Sequence, residues 1–126
     1  MNELVSEWVA RAEADAKTAQ REFAVLDDPN WDAVCFHAQQ CVEKYLKALC
    51  QAFSVAPPRS HDLWYLASQL TDHIPGISEY SDELKRLSSF AVEIRYPGEQ
   101  ADRAEAKLAL EGMQVLRSAL RSLLQV

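Results

Sequence analysis

Glycine and proline are scarce in this chain, three and five of 126 residues, and they gather almost entirely at Pro29, Pro57-Pro58, Pro75-Gly76 and Pro97-Gly98. The long stretches between them are rich in Ala, Leu, Glu, Gln and Arg, which points to helices and leaves a large sheet no place. Basic charge is also short. Thirteen Lys and Arg face nineteen Asp and Glu, a net charge of −6 with a pI near 5.0. The chain as a whole repels phosphate, which excludes a general nucleic-acid binder and leaves room only for a local basic pocket. No apolar run approaches a membrane span, and residues 1–7 lack the basic region and apolar stretch of an export signal, so the expected location is cytoplasmic with no membrane contact. Cysteine is limited to Cys35, Cys41 and Cys50, an odd number without a CxxC pair. Such residues are expected as core thiols in a reducing compartment, and neither metal nor cofactor is implied. A Gly-rich phosphate loop is missing, as is a recognisable set of nucleophile, base and orienting residue.

What is present is helical periodicity, over a length that fits a single domain of residues 1–126. Leu4, Val5, Trp8, Val9, Ala12, Ala16, Ala19 and Phe23 recur at steps of three and four, predicting an amphipathic helix that ends before Asp27-Asp28-Pro29-Asn30. A second helix is expected over residues 31–53 and stops at Ala56-Pro57-Pro58, since consecutive prolines exclude helical geometry before them. Ser60 is the expected cap of a short third helix through Thr71, with Leu63, Leu66, Ala67 and Leu70 inward. Ser78 or Ser81 caps a fourth that carries Tyr80, Leu84, Leu87, Ala91 and Ile94 inward and ends at Pro97-Gly98. The fifth begins near Ala101, with Asp102 and Glu105 in its first turn and Arg117 and Arg121 late, matching the helix dipole. Four long helices and one short insert predict an all-α fold, an antiparallel up-and-down four-helix bundle with one additional short helix.

The second helix is the informative one. Val34, Ala38, Cys41, Val42, Tyr45, Leu46, Leu49 and Phe53 fall on one arc, while His37, Gln40, Lys44, Lys47 and Gln51 run along the other side. His37, Gln40 and Lys44 offer an imidazole, an amide and an ammonium to one ligand or one neighbouring subunit; an ordinary solvated face has the same pattern. Phe36 lies amid that polar arc, where an isolated monomer gains little from an aromatic ring, so it is a candidate dimer contact. Arg95 falls close to the line of Leu84 and Ala91, where an aliphatic side chain is expected. It either bonds the last carbonyls of its helix or grips phosphate or carboxylate. Asp15 sits at the edge of the first apolar arc, and a buried carboxylate calls for a partner, Arg95 or Lys44. His61 reads as a helix-start residue and His73 as an exposed loop residue.

The block over residues 36–49, then Ser60-His61-Asp62-Leu63, then Ile94-Arg95-Tyr96-Pro97-Gly98 occur in the order found in the HEPN family of small helical domains, and the chain resembles that family over nearly its whole length. Many HEPN proteins are described as metal-independent endoribonucleases whose signature is an Arg followed four to six residues later by a His, both acting across a dimer cleft. Here Gln100 stands at the first position allowed to the His, and no His occupies any other. Without an imidazole there, the proton of a ribose 2′-hydroxyl has no suitable acceptor. The Arg95-Tyr96-Pro97 version is similar to the standalone branch often encoded beside a minimal nucleotidyltransferase. The resemblance implies a non-catalytic domain that homodimerises and binds a nucleotide or a minimal nucleotidyltransferase partner, within a toxin–antitoxin-like pair, with His37, Gln40, Lys44, Arg95 and Tyr96 as candidate contacts and RNA not expected as a ligand. The alternatives are an endoribonuclease toxin using Arg95 with His37 or His61 as base, and a structural adaptor without ligand.

Overall fold

The computed structural model describes residues 2–90 and 97–126. Along the chain lie α1 (Glu3–Phe23), α2 (Trp31–Ala52), α3 (Leu63–Ser68), a 3-10 turn (Pro75–Tyr80), α4 (Ser81–Phe90) and α5 (Arg103–Leu124), and no strand occurs among the described residues. No described helix is long and apolar enough to cross a membrane.

Each long helix starts where a short polar side chain can serve an orphan amide. Asn2, Asn30 and Asp102 accept from the backbone N–H groups of Val5, Ala33 and Glu105. The cap of α3 is Asp62, whose carboxylate accepts from Tyr65 N at 3.0 Å. Ser60, the expected cap, uses its hydroxyl to accept from Asp62 N at 3.1 Å and so shapes the turn before the helix. The third helix is also shorter than its apolar pattern, ending at Ser68, and neither Ser78 nor Ser81 caps α4 with its side chain: the chain enters α4 directly from the Pro75–Tyr80 turn. At the end of α2, Ser54 adopts a left-handed φ of 57° and the N–H of Val55 bonds back to the Cys50 carbonyl at 2.8 Å. That exit turns Phe53 out of the arc its spacing assigned to it, leaving its ring substantially exposed.

Helix α2 packs against α1, α3, α4 and α5. It is accordingly buried almost all round, and Val34, Cys41, Tyr45, Leu46 and Leu49 have no solvent exposure. As position falls from Asp15 to Trp8 along α1, the partner along α2 rises from His37 to Lys47, which fixes the two as antiparallel. Asp32 accepts from Ala101 N while Tyr45 meets Arg121, so α2 and α5 run the same way. Successive long helices still alternate in direction, with α4 antiparallel to α5 across shared hollows at Tyr80–Leu123 and Phe90–Leu108. The start of α3 is tied to α4 by Leu63 N donating to Ser88 Oγ at 2.9 Å. All three cysteines are buried thiols, and burial pushes Cys41 up to about 12, which keeps it protonated and inert.

Candidate functional site

The polar row on α2 is not a solvated face. Asp15, on α1 and only 10% exposed at its side chain, reaches across to α2 and binds two of the predicted residues at once: His37 Nδ1 lies 2.8 Å from Oδ1, and Lys44 Nζ donates to Oδ2 at 2.5 Å. Of the two partners the sequence left open for Asp15, Lys44 meets it, joined by His37, and Arg95 lies outside the described residues. A buried carboxylate between an ammonium and an imidazole is held in one rotamer by both. In consequence an incoming anion meets Lys44 already paired. Gln40 is drawn in sideways, donating through Nε2 to Gln39 Oε1 at 3.0 Å.

One turn further along, Glu43 forms the second half of the cluster. Its side chain is 3% exposed and accepts from Gln39 Nε2 at 3.2 Å and Lys47 Nζ at 3.0 Å, with His61 Nδ1 at 2.8 Å. Gln39 also donates to the His61 carbonyl at 2.9 Å. His61 is therefore not a helix-start residue: it precedes the cap and pins the incoming chain to α2. Glu43 shares the row of Leu46 and Cys50, so a carboxylate in an apolar row was the signal for it, as it was for Asp15.

At the α1 side the cluster opens into a cleft of about 290 Å³ lined by Leu4, Glu7, Trp8, Arg11 and Lys44. Lys47 Nζ stands 5.5 Å from the Trp8 ring centroid, and Arg11 pairs with Glu7 at 3.0 Å. The cleft thus offers one indole wall beside three cations whose partners are within reach. Leu4, expected inward, lines its mouth and is largely exposed. Phe36 is 45% exposed on the same strip of α2, and its ring meets that of His37 edge-on at 5.2 Å. Arg95 and Tyr96 lie outside the described residues.

A third cluster, invisible to spacing, joins three helices away from this strip. Glu13 of α1 accepts from Arg117 Nε at 2.6 Å and from Arg117 Nη2, and from the Tyr45 hydroxyl, to which Arg121 Nη1 in turn donates at 2.8 Å. The Arg117 bond holds the Glu13 carboxyl below its ordinary range, with burial opposing it, while burial and the Glu13 bond push Tyr45 up to about 12. No group of three or more His, Cys, Asp or Glu among the described residues could hold a metal ion.

A sequence model of the HEPN domain matches residues 5–123. Among solved structures, the crystal structure of TT1696 from Thermus thermophilus superposes with a TM-score of 0.78 at 23% identity, covering 94% of this chain and 96% of that one. At that identity the likeness speaks for the fold alone. No curated protein matches the sequence.

Proposed function

The chain belongs to the HEPN domain family, and from that premise we propose a non-catalytic binding module that pairs with a second copy of itself and takes a nucleotide or a minimal nucleotidyltransferase partner, as one half of a toxin–antitoxin-like pair. The observation that carries this reading is the strip along α2, where the exposed Phe36 ring lies directly against His37 and, through Asp15, beside Lys44 and the Trp8 cleft. An apolar ring flanked by pre-arranged polar groups suits an interface core with a polar rim. The Trp8 wall suits a nucleobase, and a phosphate beside it would have to draw Arg11 from Glu7 and share Lys44 with Asp15.

Light scattering at micromolar concentration should give twice the chain mass for the native protein and the single mass for Phe36→Asp, whose helical content should be unchanged. A native monomer removes the dimer reading. Calorimetric titration with ATP should show weak binding that falls at least tenfold in Arg95→Ala and in Lys44→Met, the loss of about one charge-assisted contact. No heat of binding in the native protein leaves the protein partner or the ligand-free adaptor as the surviving role.

One observation favours a second reading, an endoribonuclease with Arg95. His37 and His61 each hold Nδ1 against a buried carboxylate, Asp15 and Glu43. In a neutral imidazole that arrangement places the proton on Nδ1 and makes Nε2 the basic nitrogen, as a general base requires. RNA cleavage in EDTA that disappears in Arg95→Ala and in one of His37→Ala or His61→Ala would replace the first reading with this one.

A further inference from the structure

Helix α5 is apolar on two faces. One, carrying Ala106, Ala109, Met113, Leu116 and Leu120, fills the core. The other, carrying Leu108, Val115 and Leu123 with Gly112 and Ala119 between them, faces outward, and Leu108 and Val115 are 45% and 52% exposed. The spacing along this outer face is four, three, four and four residues, a seam of the kind one helix offers another. An amphipathic helix packed on one core needs a single such stripe.

The seam forms the floor of a groove whose other wall is the 3-10 turn and α4. Two hollows share Val115: one of about 440 Å³ between Tyr80 and Leu123, one of about 200 Å³ between Phe90 and Leu108. They are centred about two turns apart along α5, on the order of 10 Å, the separation of side chains i and i+7 on a facing helix. Gly112 lies between them, and a Cβ built on it meets no atom within 4 Å. Glycine in a helix interior is unfavourable relative to alanine. With open space where its side chain would stand, no described neighbour within the chain requires it, and its bare backbone leaves room for close approach from outside.

The rim decides among occupants. Among the described lining residues, Glu79, Glu83 and Glu111 stand around the hollows against the single cation Arg86. A second copy seated face to face would set two net-acidic rims against each other, and an anionic lipid surface or an RNA backbone would be repelled by them. We infer that the α4–α5 groove docks a helix of a different protein, one that presents large apolar side chains at i, i+4 and i+7 with Lys or Arg on both flanks. None of the groove residues belongs to the Phe36 strip or the Asp15 and Glu43 clusters, so among the described residues this surface is separate from them.

The test uses a fluorescein-labelled 18-residue helical peptide with Leu at i, i+4, i+7 and i+11 and Lys or Arg flanks, with two controls: Glu flanks, and Ser in place of Leu. Anisotropy titration with the full chain should give micromolar binding of the basic peptide and at least tenfold weaker binding of both controls. Val115→Ser and, separately, Glu111→Lys should each weaken the basic peptide about tenfold, while Phe36→Asp leaves it unchanged. Gly112→Ala should raise the melting temperature by roughly 3 °C and yet weaken the peptide several-fold, a combination that a purely structural glycine does not give. Absence of binding, equal binding of basic and Ser-substituted peptides, or insensitivity to Val115→Ser overturns the inference. A native dimer that Val115→Ser dissociates, or sedimentation with phosphatidylserine vesicles that Val115→Ser abolishes, overturns it in favour of a second copy or a lipid surface.

Discussion

Replacing Glu43 with alanine is expected to lower the unfolding free energy by about 3 kcal/mol, the largest loss expected from any single polar side chain among the described residues. Three donors converge on this carboxylate, from Gln39, Lys47 and His61, and it is almost wholly shielded from water. Removing it leaves a buried amide without one of its acceptors and an ammonium, Lys47, only 22% exposed at its side chain, without its counter-charge. A charge-assisted hydrogen bond contributes about 1.5–3 kcal/mol, and the three share one acceptor, so their sum is well short of three times that value. The melting temperature should fall by roughly 10 °C. Because His61 also offers its carbonyl to Gln39, the residues that lead into α3 should exchange their amide protons faster in the variant. A loss below about 1 kcal/mol would mean that the three donors find water at little cost and that the cluster is a surface feature.

Substitution of Glu13 should come second, at about 2 kcal/mol for Glu13→Gln at neutral pH, and its effect should depend on acidity. Glu13 ties α1 to α5 through Arg117 and to α2 through Tyr45, residues far apart in sequence. About a third of the Glu13 and Arg117 side chains is exposed, so solvent screening reduces the value of the pair from that of a buried bridge. The Arg117 bond holds the Glu13 carboxyl below its ordinary value near 4.5 in the folded state. A group whose folded pKa is depressed contributes fully above the unfolded value and loses that contribution as pH falls through the folded one. Native protein should therefore lose stability below about pH 4.5 more steeply than Glu13→Gln, and the gap between them should narrow toward pH 3. Urea denaturation of both proteins between pH 3 and pH 7 measures this directly. A gap independent of pH would show that Glu13 acts by shape and not by charge. Tyr45→Phe should show a smaller loss of about 1 kcal/mol, since Arg121 and Glu13 keep other partners or solvent.

Much of the site was legible because its residues break a pattern. Asp15 on an apolar edge announced a buried partner, and among the described residues it meets the lysine and the histidine that helical spacing put in the facing row. Phe36 announced itself by the reverse violation, an aromatic ring in a polar arc, and its ring is exposed. Glu43 broke the pattern too, yet it stands next to Lys44 and Lys47 and so passes for one more charge of a solvated face. Only the approach of the chain before α3 makes it buried, and no local pattern encodes that approach. His61 illustrates the same gap: its position after Ser60 suggested a helix start, whereas its ring and its carbonyl are both used to hold this segment to α2.

The sequence by itself determined the number and rough extent of the helices, because periodicity, capping residues and the Pro-Gly clusters act within a few residues of each other and need no knowledge of the fold. It also determined the core thiols and the overall acidic charge. Tertiary structure alone decided that α2 is the central helix and lies parallel to α5, that Glu13 gathers Tyr45, Arg117 and Arg121, and that α5 keeps a second apolar face uncovered beside α4. These depend on which helix lies next to which. One helical stripe fits many neighbours about equally well, and the choice among them is made by the combined packing of all the stripes and by ion pairs that form only after the helices have met.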